Sequence, residues 1–132
     1  MRESFFKFSR PIVKDVQYQI SEEYTPNLKS KIDNKLFTNF ARKGNDNIAI
    51  VELHIDLGKG DSENPPFLLS LTIVAEFQWQ EDYKEDKIDR LLQQNAPALL
   101  LSYARPIISN ITLNSIMPYD IPFIDFTKKS KE

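Results

Sequence analysis

The sequence predicts an α+β fold, a four-stranded antiparallel sheet covered on one face by a long C-terminal helix, with a short helix ahead of it. Three observations predict it. Four segments alternate apolar and polar residues with the period of a β-strand. A segment from residue 95 onward carries apolar residues at helical spacing, and it is the only long stretch left to cover a sheet. Turn residues separate the segments, and 132 residues suit one domain, taken as residues 1–132.

The first strand is expected over residues 6–20, where Phe6, Phe8, Ile12, Val16, Tyr18 and Ile20 share one parity. Pro11 has no amide to donate, so it marks a bulge or an edge position. A long first strand with a free edge is either a simple sheet edge or a subunit contact. Residues 21–34 form a polar crossover with two isolated apolar residues, Leu28 and Ile32. Residues 35–42 make a short strand with Leu36, Thr38 and Phe40 on one face, and a turn is expected at Lys43-Gly44-Asn45-Asp46. Residues 47–57 alternate most regularly, Ala49, Val51, Leu53, Ile55 and Leu57 against Glu52, His54 and Asp56. After the turn at 58–66, every odd position from Phe67 to Trp79 is apolar.

A short helix is expected within residues 80–94. The long helix should start at Asn95 as N-cap, with Pro97 in its first turn. One stripe holds Ala96, Leu99, Leu100, Tyr103, Ile107 and Ile111, and a second holds Leu101, Ala104, Ile108 and Ser115. One sheet needs only one stripe, so the second faces either another subunit or the short helix. Pro106 deletes a helical hydrogen bond and should bend the axis. Met117, Tyr119, Ile121, Phe123, Ile124 and Phe126 follow in an extended segment, where they either seal the sheet's edge or line an exposed apolar groove.

Composition narrows the function class. Lys and Arg total 17 against 19 Asp and Glu, a net charge of -2, which speaks against binding nucleic acid through a basic face. With no cysteine, thiol nucleophiles, disulfides and thiolate metal sites are excluded. His54, the single histidine, is expected on the solvated outer face, so neither metal, cofactor nor catalysis is assigned to it. No apolar run approaches the roughly 20 residues of a membrane helix, and Lys7 and Arg10 break the N-terminal apolar stretch a signal peptide would need. A cytoplasmic protein is expected.

Asn95-Ala-Pro97, Leu101-Ser-Tyr-Ala-Arg105, Ile108-Ser-Asn110, Met117-Pro118 and Ile121-Pro-Phe-Ile-Asp-Phe126 resemble the C-terminal half of the SecB protein-export chaperones. More loosely, Val13-Lys-Asp-Val-Gln-Tyr18 resembles that family's first-strand pattern Lys-Asp-Ile-Ser-Phe. The resemblance implies an α+β subunit assembling as a dimer of dimers, long grooves that hold unfolded precursor polypeptides, and delivery to the motor SecA. It places Phe126 in the groove and Asp15 on the motor-docking face. Ser70 and Gln19 stand where that face would carry acids, and the chain ends in the basic Lys128-Lys-Ser-Lys-Glu132, which puts docking to SecA in doubt.

The expected function is therefore an ATP-independent holdase with no cofactor, or a dedicated partner-specific chaperone, for example for an antitoxin. Expected polypeptide-binding residues are Leu28, Ile32, Phe77, Trp79, Tyr119, Ile121, Phe123 and Phe126, with Leu28 and Ile32 on a movable lid. Expected subunit contacts are Leu101, Ala104, Ile108, Val16 and Tyr18.

Overall fold

A computed structural model of the chain describes residues 6–44 and 46–127. Asn45 of the expected turn and the basic stretch Lys128 to Glu132 lie outside the described residues. Five strands form one antiparallel sheet: β1 (Phe6–Phe8), β2 (Ile12–Ile20), β3 (Asn34–Arg42), β4 (Ile48–Leu57) and β5 (Phe67–Trp79). β1 and β2 both pair with β5, so the expected four strand positions are present with the first one divided.

The division has a local cause, because Arg10 and the donorless Pro11 interrupt the ladder. Four steps from Phe8 to Ile12 then oppose three from Phe77 to Val74. That extra residue moves Ile12 to the outer face and Val13 to the helix side. A second irregularity between Val13 and Asp15 accommodates Lys14, after which Val16, Tyr18 and Ile20 return to the helix side opposite Leu71, Leu69 and Phe67. The expected parity row is thus broken at Ile12.

Strands β4 and β5 carry the core. Their odd-numbered residues from Ala49 to Leu57 and from Phe67 to Trp79 are all buried. Gly58 starts the connection between them with φ +84°, and a Cβ there would lie 2.2 Å from the carbonyl oxygen of Phe67. No side chain fits that close approach.

The helical layer differs from expectation in its start and its phase. Asn95 is not a cap: α1 (Glu85–Arg90), a π-helical turn (Leu91–Asn95) and α2 (Ala96–Leu113) are contiguous. Asn95 itself has helical angles and makes no side-chain cap. The amide of Ala96 donates five residues back to the carbonyl of Leu91. This wider turn precedes Pro97, which has no amide to offer. A π turn adds about one residue and rotates the following stripe by roughly 100°.

The sheet consequently meets Pro97, Leu100, Leu101, Ala104 and Ile108, all buried, while Tyr103 is 42% exposed and Leu99, Ile107 and Ile111 are only half-buried. The second stripe's Leu101, Ala104 and Ile108 thus join Ala96 and Leu100 of the first in the core, and the rest of the first stripe lies at the margin. Leu101, Ala104 and Ile108 are core residues of the single chain and present no free area to another subunit, correcting that expectation. Pro106 is tolerated inside α2, which runs through it to Leu113.

Candidate functional site: two tethered apolar segments

Besides single residues such as Phe40 and Leu113, the described residues leave two larger stretches of apolar surface. One is a ledge along the sheet edge, because α2 lies over β4 and β5 and leaves Phe8, Val13, Val16 and Ile20 between 39% and 47% exposed. The other is a pair of irregular segments at the far end of the sheet. These are the crossover, residues 21–33, with Leu28 62% exposed at its tip, and the strap, residues 114–127, with Phe123 80% exposed.

The strap is extended because Pro118 and Pro122 cannot continue a helix, and it is fixed by side chains of α2. Thr112, fully buried, accepts the Tyr119 amide proton on Oγ1 at 2.9 Å. Arg105 donates from Nε to the Ile121 carbonyl at 3.0 Å, and its guanidinium lies 3.7 Å from the centre of the Phe123 ring. Ser109 donates to Asp120 at 2.6 Å. Ile121 is buried, and the Tyr119 hydroxyl accepts a hydrogen bond from Asn34 Nδ2 at 3.1 Å. Tyr119 also packs edge-on against Phe67, whose other neighbour is Tyr18. Three aromatic rings therefore line one end of the sheet between strap and edge strand.

The crossover is held differently. Asn64 accepts the Thr25 amide on Oδ1 at 2.8 Å and donates from Nδ2 to the Thr25 carbonyl at 2.9 Å. Lys31 and Glu63 exchange backbone hydrogen bonds at 2.7 and 2.9 Å, and the Asp33 amide donates to Ser62 Oγ at 2.9 Å. All three anchors lie in the 58–66 connection. Ile32 packs half-buried against the core, leaving Leu28 as the projecting apolar residue. The expected movable lid is thus anchored near both ends.

Among the expected binding residues, Leu28 and Phe123 are open, and Tyr119, Phe126 and Ile32 are half-buried. Phe77, Trp79 and Ile121 are core residues, so their expected direct contact with a ligand is corrected. Alternation marked the face of β5 correctly but could not show that the helix covers it. Asn34, Arg105, Ser109 and Thr112, which shape the strap, were not expected. Their signal is faint in sequence because each acts through one long-range polar bond.

The outer face holds a polar network centred on Asp56. Its Oδ1 accepts from Ser70 Oγ at 2.6 Å and pairs with His54 Nε2 at 3.1 Å and Lys59 Nζ at 3.6 Å. Partial burial pushes the Asp56 carboxyl up, but the Ser70 bond, the charges of His54 and Lys59 and the His54 bond outweigh it and hold it below the usual range. His54 Nδ1 lies 2.7 Å from Thr72 Oγ1, so both ring nitrogens are engaged and the histidine is not the solvated residue expected. Thr72, His54 and Asp56 thus line up like a hydrolytic relay. They lie, however, on strands hydrogen-bonded on both sides, where backbone amides are committed to the ladder and none is free to stabilise an oxyanion.

Asp15 is exposed on this outer face opposite Thr72. The neighbouring acids are already engaged: Glu52 with Lys14, Glu76 with Lys43, and Asp56 as above. A hollow of about 580 Å³ beside Asp15's strand is lined by Gln17, Gln19, Lys59, Leu68 and Ser70, together with Val16 and Tyr18, and contains no carboxylate. Among the described residues no helix is long and apolar enough to cross a membrane.

This arrangement of sheet, long helix and strap is that of the SecB-like chaperones. A SecB-like chaperone of Mycobacterium tuberculosis, solved in complex with a ChAD peptide from the HigA1 antitoxin, matches with a TM-score of 0.71 over 91% of both chains. At 12% identity that likeness concerns the fold. In sequence, the protein-export protein SecB of Orientia tsutsugamushi, strain Boryong, is 29% identical over 121 residues, covering 88% of this chain and 75% of its own length. An uncharacterized protein of Methanocaldococcus jannaschii is 30% identical, covering 85% of this chain and 73% of its own. No family model matches the sequence. The chain belongs to the SecB-like family.

Proposed function

We propose that this chain is an ATP-independent holdase that keeps unfolded polypeptides from aggregating in the cytoplasm, acting as a single domain over residues 1–132, with no catalytic role. The observation that carries the reading is the pair of tethered walls, each ending in a projecting apolar residue, Leu28 at 62% exposure and Phe123 at 80%. Such residues on so small a body offer a client several shallow apolar contacts rather than one deep pocket. Tyr119 and Phe126 supply the half-buried part of the same surface.

Assembly as a dimer of dimers fits the ledge. Val16, with Val13 and Ile20, would meet a second copy there, joined by Tyr103 of α2, which already touches Phe8 with ring centres 6.4 Å apart. Tyr18, half-buried beside the ledge, would back this contact.

Suppression of the aggregation of a chemically denatured model protein tests the holding role. Scattering should fall to baseline once the proposed tetramer exceeds the client, and unchanged scattering at every ratio and salt concentration would rule it out.

A second reading, service to one partner such as an antitoxin without docking to SecA, is favoured by the outer face. Glu52, Asp56 and Glu76 are each engaged with a lysine there, which leaves Asp15, among the described acids of β2, β4 and β5 on that face, to offer a basic motor surface. Equal protection of many unrelated clients would count against this narrower role.

A further inference from the structure

Arg42 and Arg105 each lie over an aromatic ring, and they differ in one respect. The guanidinium of Arg42 sits 5.3 Å from the centre of the Trp79 ring, and its two Nη groups donate to the Glu85 carboxylate, the shortest contact being 3.1 Å. That of Arg105 sits 3.7 Å from the centre of the Phe123 ring and donates from Nε to the Ile121 carbonyl. Its Nη groups have no partner among the described residues, and neither is shielded from solvent. The acids of the strap are turned to other donors: Asp120 accepts from Ser109, and Asp125 accepts from the Thr127 amide.

A guanidinium is a planar fork whose outer nitrogens match the two oxygens of a carboxylate. Holding the Ile121 carbonyl uses Nε, on the side of that fork, and leaves its end open. The plane is fixed from two directions, by the bond to Ile121 and by the ring, so little side-chain freedom remains to be lost on binding. The ring acts in a second way. Phe123 is 80% exposed, and an apolar side chain laid against it would exclude water from the cation beside it, which strengthens any charge pair made there. Arg42, Trp79 and Glu85 form the completed version of this stack within the chain; Arg105 and Phe123 form the same stack without its acid.

We propose that Arg105 binds a carboxylate of the client, so that the strap selects unfolded segments in which Asp or Glu adjoins an apolar residue. The apolar residue packs on Phe123, and the acid takes the two Nη groups. The inference rests on the holding function above and adds a preference among clients that apolar contacts alone would not give.

The test uses the full chain and three fluorescent unstructured peptides, identical except that one central position beside a leucine is Glu, Gln or Lys. In dilute buffer, wild type should bind the Glu peptide about fivefold more tightly than the Gln peptide, and the Lys peptide most weakly. The gap should shrink at about 0.5 M salt. Arg105→Lys keeps the positive charge, but a single ammonium lacks the fork that holds the Ile121 carbonyl and a carboxylate together. It should bring the Glu and Gln peptides to within about twofold of each other. Phe123→Leu leaves the Arg105–Ile121 bond and an apolar contact in place while removing the stacked ring, so it reads the same preference without touching the strap's tether. It should reduce that preference by about half.

Equal binding of the Glu and Gln peptides by wild type would overturn the proposal. So would a preference that survives both variants, with or without an equal loss of affinity for all three peptides, the mark of an arginine that only clamps the strap. If wild type binds none of the peptides, the holding function fails as well, an outcome distinct from binding without preference for the acid.

Discussion

The strap and the crossover are irregular segments of similar length, and they are held in opposite ways. The strap buries Ile121 and threads its backbone past Thr112 and Arg105, so it is part of the core. The crossover buries little and depends on polar bonds to the 58–66 connection, chiefly from Asn64. One wall is therefore as stable as the fold, while the other can open locally at small cost. The client surface proposed above would therefore have a fixed side and an adjustable side.

The largest effect should come from breaking the fixed side. Ile121→Ala leaves a cavity beneath the strap and is expected to cost about 2–5 kcal/mol in denaturant unfolding. A loss below about 1 kcal/mol would mean that the strap is a surface loop after all. On the adjustable side, Asn64→Ala removes both bonds to Thr25 and should cost about 1–2 kcal/mol. Amide hydrogen exchange should then quicken in residues 21–33 and stay unchanged in the strap. Equal quickening in both walls would contradict the comparison.

Acid should act on neither wall but on the outer face. The Asp56 carboxyl is held low by Ser70, His54 and Lys59, so its stabilising contribution is present above its ordinary value of 3.8 and is lost as pH falls through the lower folded-state value. Asp56→Asn should lower stability at neutral pH and flatten the acid limb of the stability profile. The smallest effect on the fold is expected for Leu28→Ser and Phe123→Ser, each within about 0.5 kcal/mol of wild type. Together they should nonetheless abolish most suppression of aggregation, which separates holding from folding.

Much of this was legible in the sequence. The alternation of residues 67–79 gave β5 with its observed bounds, and residues 47–57 gave β4 to within one residue. Strand period depends on neighbours two apart, so it survives without tertiary information. The phase of α2 was not legible, because the π turn at Leu91–Asn95 decides which stripe meets the sheet. Ile88, Leu91 and Leu92 are buried around that turn, and no side-chain cap marks it. For the same reason Leu101, Ala104 and Ile108 were expected at a subunit contact and lie in the core. The projecting residues Leu28 and Phe123 were legible as apolar residues without a home. The tethers that present them join residues such as Thr25 and Asn64, 39 apart in the chain, and no local pattern announces them.

Hydrogen exchange of the chain with and without an unfolded client tests the central claim most directly. The account predicts new protection in residues 21–33 and in the strap from Met117 to Phe126, with the outer-face strand around Asp15 unchanged. Protection confined to the outer face, or none in either wall while the client stays bound, would contradict it.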